Sequence, residues 1–213
     1  MDYPLITPET EFDAVILAAG DFPTHPLPLT LLAHAKYICC CDGAAAEYVG
    51  KGYMPNAIVG DGDSLPNKLK QQCANILHEV AEQDSNDLTK ATRHCIGMGF
   101  RHIAYLGATG KREDHSLANI SLMMHYYRNM GIAPTMITDH GVFIPTHGNR
   151  TFGSKPGQQI SIFNFGCNHI ESKGLKWQSF PYEHMWQGTL NEAVGTEIQF
   201  CADNYYMVFR CFP

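Results

Sequence analysis

Through the first two-thirds of the chain, apolar residues come in short unbroken runs, separated by longer stretches with helical spacing. Residues 12–20 (FDAVILAAG), 36–41 (KYICCC), 56–61 (NAIVGD), 77–81 (LHEVA), 102–107 (HIAYLG) and 134–139 (PTMITD) predict strands. Residues 28–35, 43–52, 67–75, 84–99 and 112–131 predict helices between them; the helix over 84–99 has a capped start and a glycine end. Strands alternating with helices imply crossover connections, hence a largely parallel sheet with helices on its faces.

After about residue 140 the pattern changes. Residues 141–146 (GVFIPT), 158–166 (QQISIFNFG), 196–202 (TEIQFCA) and 205–212 (YYMVFRCF) are short alternating or aromatic runs divided by Gly, Pro and Asn, and no helical run stands out. Such a pattern predicts an antiparallel sheet or sandwich. The expected fold class is therefore α/β: an N-terminal, mostly parallel sheet with flanking helices over residues 1–140, and a C-terminal all-β sandwich domain over 141–213. No repeat or low-complexity segment interrupts either part.

Composition removes several classes of function. The 213 residues are 45% hydrophobic, enough for a sizeable core. Acidic residues outnumber basic ones by 21 to 15, and no basic run occurs, so nucleic acid is not an expected partner. No apolar run approaches the length of a membrane span. The start lacks a charged segment followed by a long apolar one, so no signal peptide is expected. The eight cysteines form no CxxC pair. They read as reduced, small core residues of a cytoplasmic protein.

The candidate chemistry sits at strand ends, where ligands collect in a parallel sheet. Asp42 and Gly43 follow the second predicted strand, and Asp61, Asp63 and Ser64 follow the third. Asp84, Asp87 and Lys90 follow the fourth; Thr109, Gly110, Lys111, Arg112 and Asp114 follow the fifth. Each group has a plain structural reading: Asp42 or Asp84 as a helix cap, DGD as a tight turn, GATGKR as an ordinary loop. Scattered caps and turns would not place acids at successive strand ends. Two carboxylates separated only by Gly62 repel unless a cation lies between them. Magnesium suits such hard oxygen ligands, and it shares them with phosphate. GATG offers backbone N–H groups to phosphates, and Lys111 and Arg112 offer charge, although the spacing is not that of a Walker loop. The combination points to phosphoryl or pyrophosphoryl transfer.

Six segments in order, CDGAAAEY, IVGDGDS, EQDSNDLTKA, LGATGKREDHSLANI, GLKW and GTLNE, resemble the thiamine pyrophosphokinase family over nearly the whole chain. GDxDS and LGATGxRxDHxLANI are each fairly specific. The resemblance implies a catalytic α/β domain, a thiamine-binding β-sandwich and a homodimer with active sites between subunits. It implies ATP and thiamine as substrates, Mg²⁺ as cofactor, and thiamine diphosphate and AMP as products. Carried over residue by residue, Asp61, Asp63, Asp84, Asp87 and Lys90 form the catalytic set, with Asp61, Asp63 and Asp84 on the metal. Asp42, Gly43, Ser64, Thr109, Gly110, Lys111, Arg112, Asp114, His115 and Asn119 fall on the nucleotide side, and Trp177, Thr189, Asn191 and Glu192 on the thiamine side. The chain departs from the family pattern at Ala46, Gly62, Asn86, Lys111 and Leu190, where Asn, Phe, Thr, Gly and Ser are usual. Two other readings are a pyrophosphokinase acting on another alcohol, such as a pterin, and a non-catalytic nucleotide or thiamine sensor.

Overall fold

A computed structural model describes residues 1–212 and divides into two compact units: Pro8–Asp139, and Met1–Thr7 together with the chain from His140 onward. The first unit holds strands β1 (Ala14–Leu17), β2 (Ile38–Cys41), β3 (Ala57–Gly60), β4 (Leu77–Glu79), β5 (His102–Leu106) and β6 (Ala133–Ile137). Its helices are α1 (Pro26–Ala33), α2 (Asp42–Gly50), α3 (Asn67–Gln72), α4 (Asp87–Gly97) and α5 (Glu113–Asn129). The strands run in the order β6-β5-β1-β2-β3-β4, and every pairing is parallel.

Every residue of β1, β2 and β3 is buried, which is why their sequences are unbroken apolar runs rather than alternating ones. Side chains such as Ile16, Leu17 and Ile58 each contribute about 1.5–3 kcal/mol by leaving water. The chain steps outward from β1 to β4 on one side, then returns to place β5 on the other. The strand order thus reverses between β1 and β5, and a crevice opens at their carboxyl ends.

Helix α4 begins later than the sequence predicts. Its cap is Asn86, whose side-chain oxygen accepts the Thr89 N–H at 3.0 Å; Asp84 lies outside the helix. Two buried hydroxyl pairs fix α4: Thr89 to Tyr126 of α5 at 2.8 Å, and Thr92 to Tyr105 of β5 at 3.0 Å.

The second unit contains two antiparallel sheets. One runs β11 (Asn191–Glu192), β9 (Gln159–Asn164), β13 (Tyr205–Cys211), β7 (Gly141–His147). The other runs β10 (Ile170–Lys173), β12 (Glu197–Ala202), β8 (Arg150–Gly153). Phe200 of β12 meets Tyr206 of β13 with ring centroids 5.2 Å apart, joining the two sheets face to face. A 3₁₀ turn, Met185–Gly188, departs from the all-β expectation. The first residues of the chain also belong here: the buried Arg210 donates to the carbonyls of Tyr3, Pro4 and Gly153, and Tyr3 stacks on Phe152.

Among the described residues all eight cysteines are free, in keeping with the reduced state expected. Burial pushes the Cys40 thiol up to about 12, so it stays protonated and inert. The expectation that all are core residues fails at Cys201, which is exposed on the outward face of β12, and at Cys211 near the chain end. Among the described residues no helix is long and apolar enough to cross a membrane.

Candidate active site

The crevice between β1 and β5 holds a cavity of about 390 Å³. Ala18–Gly20 after β1 and Gly110–Arg112 after β5 form two of its walls; Asp87, His115 and Asn119 close it. Asn119 is fixed by donating to the Ala108 carbonyl at 2.8 Å. Gly110 lies at φ 83° and Lys111 at φ 59°. Left-handed backbone at a lysine costs on the order of 1 kcal/mol. The Lys111 ammonium is turned inward and donates to the Ala19 carbonyl at 2.9 Å, so the β5 loop is tied to the β1 loop.

Beside this cavity lie Asp42, Asp61 and Asp87, near enough to feel one another's charge without converging on one point. Asp42 opens α2 and is fully buried. Room for it exists because β3 ends in Gly60, where a Cβ would come within 2.5 Å of the Asp42 Cβ. One carboxylate oxygen, Oδ2, accepts the Ser64 N–H at 3.0 Å, while Oδ1 has no hydrogen-bond partner among the described residues. Burial raises the Asp42 carboxyl above its ordinary range; the Ser64 N–H opposes this, Asp87 and Asp61 add repulsion, and Lys70 opposes. Asp87 is also raised, first by burial, with the Lys90 ammonium opposing at 3.5 Å and Asp61 adding to the rise. Lys90 is itself buried. Asp61 is lowered, chiefly because it accepts the Asp63 N–H, and then by the Gln83 amide. A buried acceptor without a partner and mutually repelling carboxylates describe a place that a cation would relieve.

Asp63 and Asp84 stand differently. The hydrogen bond from the Asp63 N–H to Asp61 Oδ1, 3.0 Å, makes DGD a real turn, and Asp63 points into solvent. Asp84 is exposed in a loop organised by Glu82, which accepts the N–H groups of Asp84 and Ser85 and pairs with Arg93 at 3.1 Å. The expected metal trio of Asp61, Asp63 and Asp84 is not assembled here: among the described residues no three His, Cys, Asp or Glu side chains are grouped around one point. Arg112 makes a two-pronged ion pair with Asp114, closest at 2.6 Å, and His115 hangs its N–H on the same carboxylate. Gly43 lies in the first turn of α2, and Thr109 uses its carbonyl to hold the Asp21 N–H.

The second unit carries its own pocket, about 250 Å³, lined by Trp177, Phe180, Tyr182, Thr189, Leu190 and Asn191 among others. Asn191 is buried and its amide is fully used: Oδ1 accepts the Trp177 N–H at 3.2 Å and Nδ2 donates to the Trp177 carbonyl at 2.8 Å. This clamp presents an indole that is 53% exposed. Lys176 lies over that ring at 4.9 Å and pairs with Glu192 at 3.4 Å. The Thr189 hydroxyl donates to the Trp186 carbonyl and so closes the 3₁₀ turn. Trp186, Met185, Phe180 and Leu190 are exposed around it, and of these only Leu190, in GTLNE, belongs to a motif that the sequence singled out.

Two family models match: the thiamin pyrophosphokinase catalytic domain over residues 29–133 and the thiamin pyrophosphokinase substrate-binding domain over residues 141–209. The chain is 28% identical to thiamin pyrophosphokinase 1 of Caenorhabditis elegans over 114 residues, covering 49% of this chain and 46% of that protein. It is 27% identical to thiamine pyrophosphokinase 2 of Oryza sativa subsp. japonica over 179 residues, 69% and 66% of the two chains. The matched stretches thus span about half to two-thirds of these curated relatives. The fold resembles the thiamin pyrophosphokinase of Candida albicans, with TM-score 0.79 at 17% identity over 99% of this chain and 94% of that one. The Bacillus subtilis structure gives TM-score 0.75 at 18% identity, covering 94% and 99%.

Proposed function

We propose that this chain, which belongs to the thiamin pyrophosphokinase family, transfers the terminal diphosphate of ATP to the hydroxyl of thiamine, releasing AMP. The observation that carries the reading is the rim of Asp42, Asp61 and Asp87 beside a nucleotide-sized cavity at the point where strand order reverses.

The rim fits a magnesium ion. Asp42 Oδ1 is buried and without a partner, and the donor set is carboxylate oxygen throughout. Magnesium keeps waters and takes phosphate oxygens, so it needs only one or two carboxylates directly and no ready-made cage. One or two of Asp42, Asp61 and Asp87 would hold it, with Asp63 and Asp84 as further acids of the same strand-end loops. Bound there, the ion supplies charge that offsets the polyphosphate.

The protein's own groups do the rest. Gly110 and Lys111 cradle phosphate, and Arg112 exchanges Asp114 for a phosphate oxygen. Gly43, Ser64, Thr109, His115 and Asn119 shape the nucleotide side. The thiamine hydroxyl oxygen bonds to the β-phosphorus while the bond from that phosphorus to the α-phosphate oxygen breaks, and AMP leaves with that oxygen. Asp87, whose burial favours its protonated form, takes the hydroxyl proton, and Lys90 holds it in place. Trp177 lies flat against the thiazolium cation, with Thr189, Asn191 and Glu192 framing the pocket. A homodimer in which a second copy completes each site accounts for the uncovered apolar side chains around Trp186. Free thiols, six of the eight buried, accord with a cytoplasmic setting.

Mass spectrometry of the products from thiamine, ATP and Mg²⁺ tests the reading. Thiamine diphosphate with AMP is expected; ADP with thiamine monophosphate would contradict one-step transfer.

A further inference from the structure

Helix α3 leaves the Asp61–Asp63 turn and returns a lysine to it. A Cβ built on Gly62 would lie 3.3 Å from Lys70 Nζ, 3.5 Å from Lys70 Cε and 3.3 Å from Glu79 Oε1. Gly62 is also left-handed, at φ 80°, a conformation that side chains resist. The lysine head therefore packs tightly against the place a side chain at residue 62 would start from, and anything larger than a methyl group there would press on it. A lysine in the last turn of a helix ordinarily extends to solvent or to the final carbonyls. This one reaches over the acidic turn instead.

Its ammonium is felt by Asp42 through charge but is bonded to nothing among the described residues. Among the described residues Lys70 makes no ion pair and no side-chain hydrogen bond, whereas the other cations of the rim are engaged. Lys90 is with Asp87 at 3.5 Å, Lys111 with the Ala19 carbonyl at 2.9 Å, and Arg112 with Asp114 at 2.6 Å. An anion entering a carboxylate-lined rim needs positive charge already in position. A compact ammonium with three donors suits a single phosphate oxygen.

We propose that Lys70 is a further phosphate-binding residue of this site, its ammonium taking an oxygen of the bound polyphosphate above the Asp61–Gly62–Asp63 turn. The assignment deepens the reading given above and rests on it. Residue 62 then acts as a gate for the lysine: a bulky side chain there and a functional Lys70 exclude each other.

The test is calorimetric titration with an ATP analogue whose α,β-bridge cannot be cleaved, in Mg²⁺, together with thermal melting. Wild type is compared with K70M, K70R and the G62A and K70M/G62A pair. K70M is expected to weaken binding about 10-fold or more, with its melting point nearly unchanged, because charge-assisted contacts are the strong ones. K70R should restore most of the affinity. G62A should weaken binding in wild type but add little on top of K70M, the non-additivity expected of residues sharing one space. Affinity of K70M within about two-fold of wild type would overturn the assignment. A wild type that binds the analogue but releases no AMP with thiamine sinks the proposed activity and leaves the Lys70 assignment standing; a wild type that does not bind it sinks both.

Discussion

The two pockets are unfinished in opposite ways. In the first unit the polar groups lack partners: Asp42 Oδ1 is buried with none, and Asp42 and Asp87 both feel the charge of Asp61. In the second unit the polar groups are complete and the apolar ones are bare. Asn191 clamps both backbone groups of Trp177 with its amide, while Trp177, Trp186 and Leu190 face solvent, the last at a strained φ of 63°. The first arrangement asks for charge and the second for a flat apolar surface. Rate should therefore depend on the first, and substrate affinity and local stability on the second.

The sharpest contrast comes from removing one charge. D42N keeps size and helix position but removes the anion. Its kcat is expected to fall on the order of 10²-fold or more, as for loss of other preorganised charge stabilisers. Steady-state kinetics at saturating Mg²⁺ check this; near-normal turnover would dissolve the distinction between the pockets. W177A should act on the other side of it. Losing an aromatic face for a cation of roughly 0.5–2 kcal/mol raises KM for thiamine by about 2- to 30-fold, with kcat little changed. An equal fall in kcat would mean that the indole contributes to the transition state and not to affinity alone. N191A leaves the chemistry alone and acts on stability, because it strands the Trp177 backbone groups: a loss of about 1–3 kcal/mol by denaturant unfolding. Full retention of stability would show that the amide clamp is not what fixes the indole.

Much of the first unit was legible because a parallel sheet is buried on both faces. AVIL, ICCC and AIVG read as strands from the runs alone, and each is one. The short strands of the second unit were harder. β8, β10 and β11 contain Arg150, Glu171, Lys173 and Asn191, polar residues that become strands only through antiparallel partners far along the chain. Local chemistry misled at Asp84, where Asn86 competes for the same cap and wins it by reaching the Thr89 N–H. Asp42 was visible as an acid at a strand end. Its burial and its bond to Ser64 depend on Gly60 of another strand, which no local pattern encodes. Lys70 belongs to no motif, and its position is set by an absent side chain at residue 62.

The claim that joins these observations is that the Asp42 rim is a site held open for a cation. Its most direct test is thermal melting of wild type and D42N across pH, without and with Mg²⁺. A carboxyl raised in the folded state binds its proton more tightly there than in the unfolded chain. The Asp42 contribution to stability is then highest below the ordinary carboxylate pKa, about 3.9, and falls as pH climbs past it toward the raised folded value. Metal-free wild type is expected to carry that penalty at pH 7 and to be stabilised when Mg²⁺ is added. D42N should melt higher than wild type without Mg²⁺, fall less with rising pH, and respond weakly to the ion. A D42N protein that melts lower than metal-free wild type at pH 7, with an undiminished Mg²⁺ shift, would contradict the account.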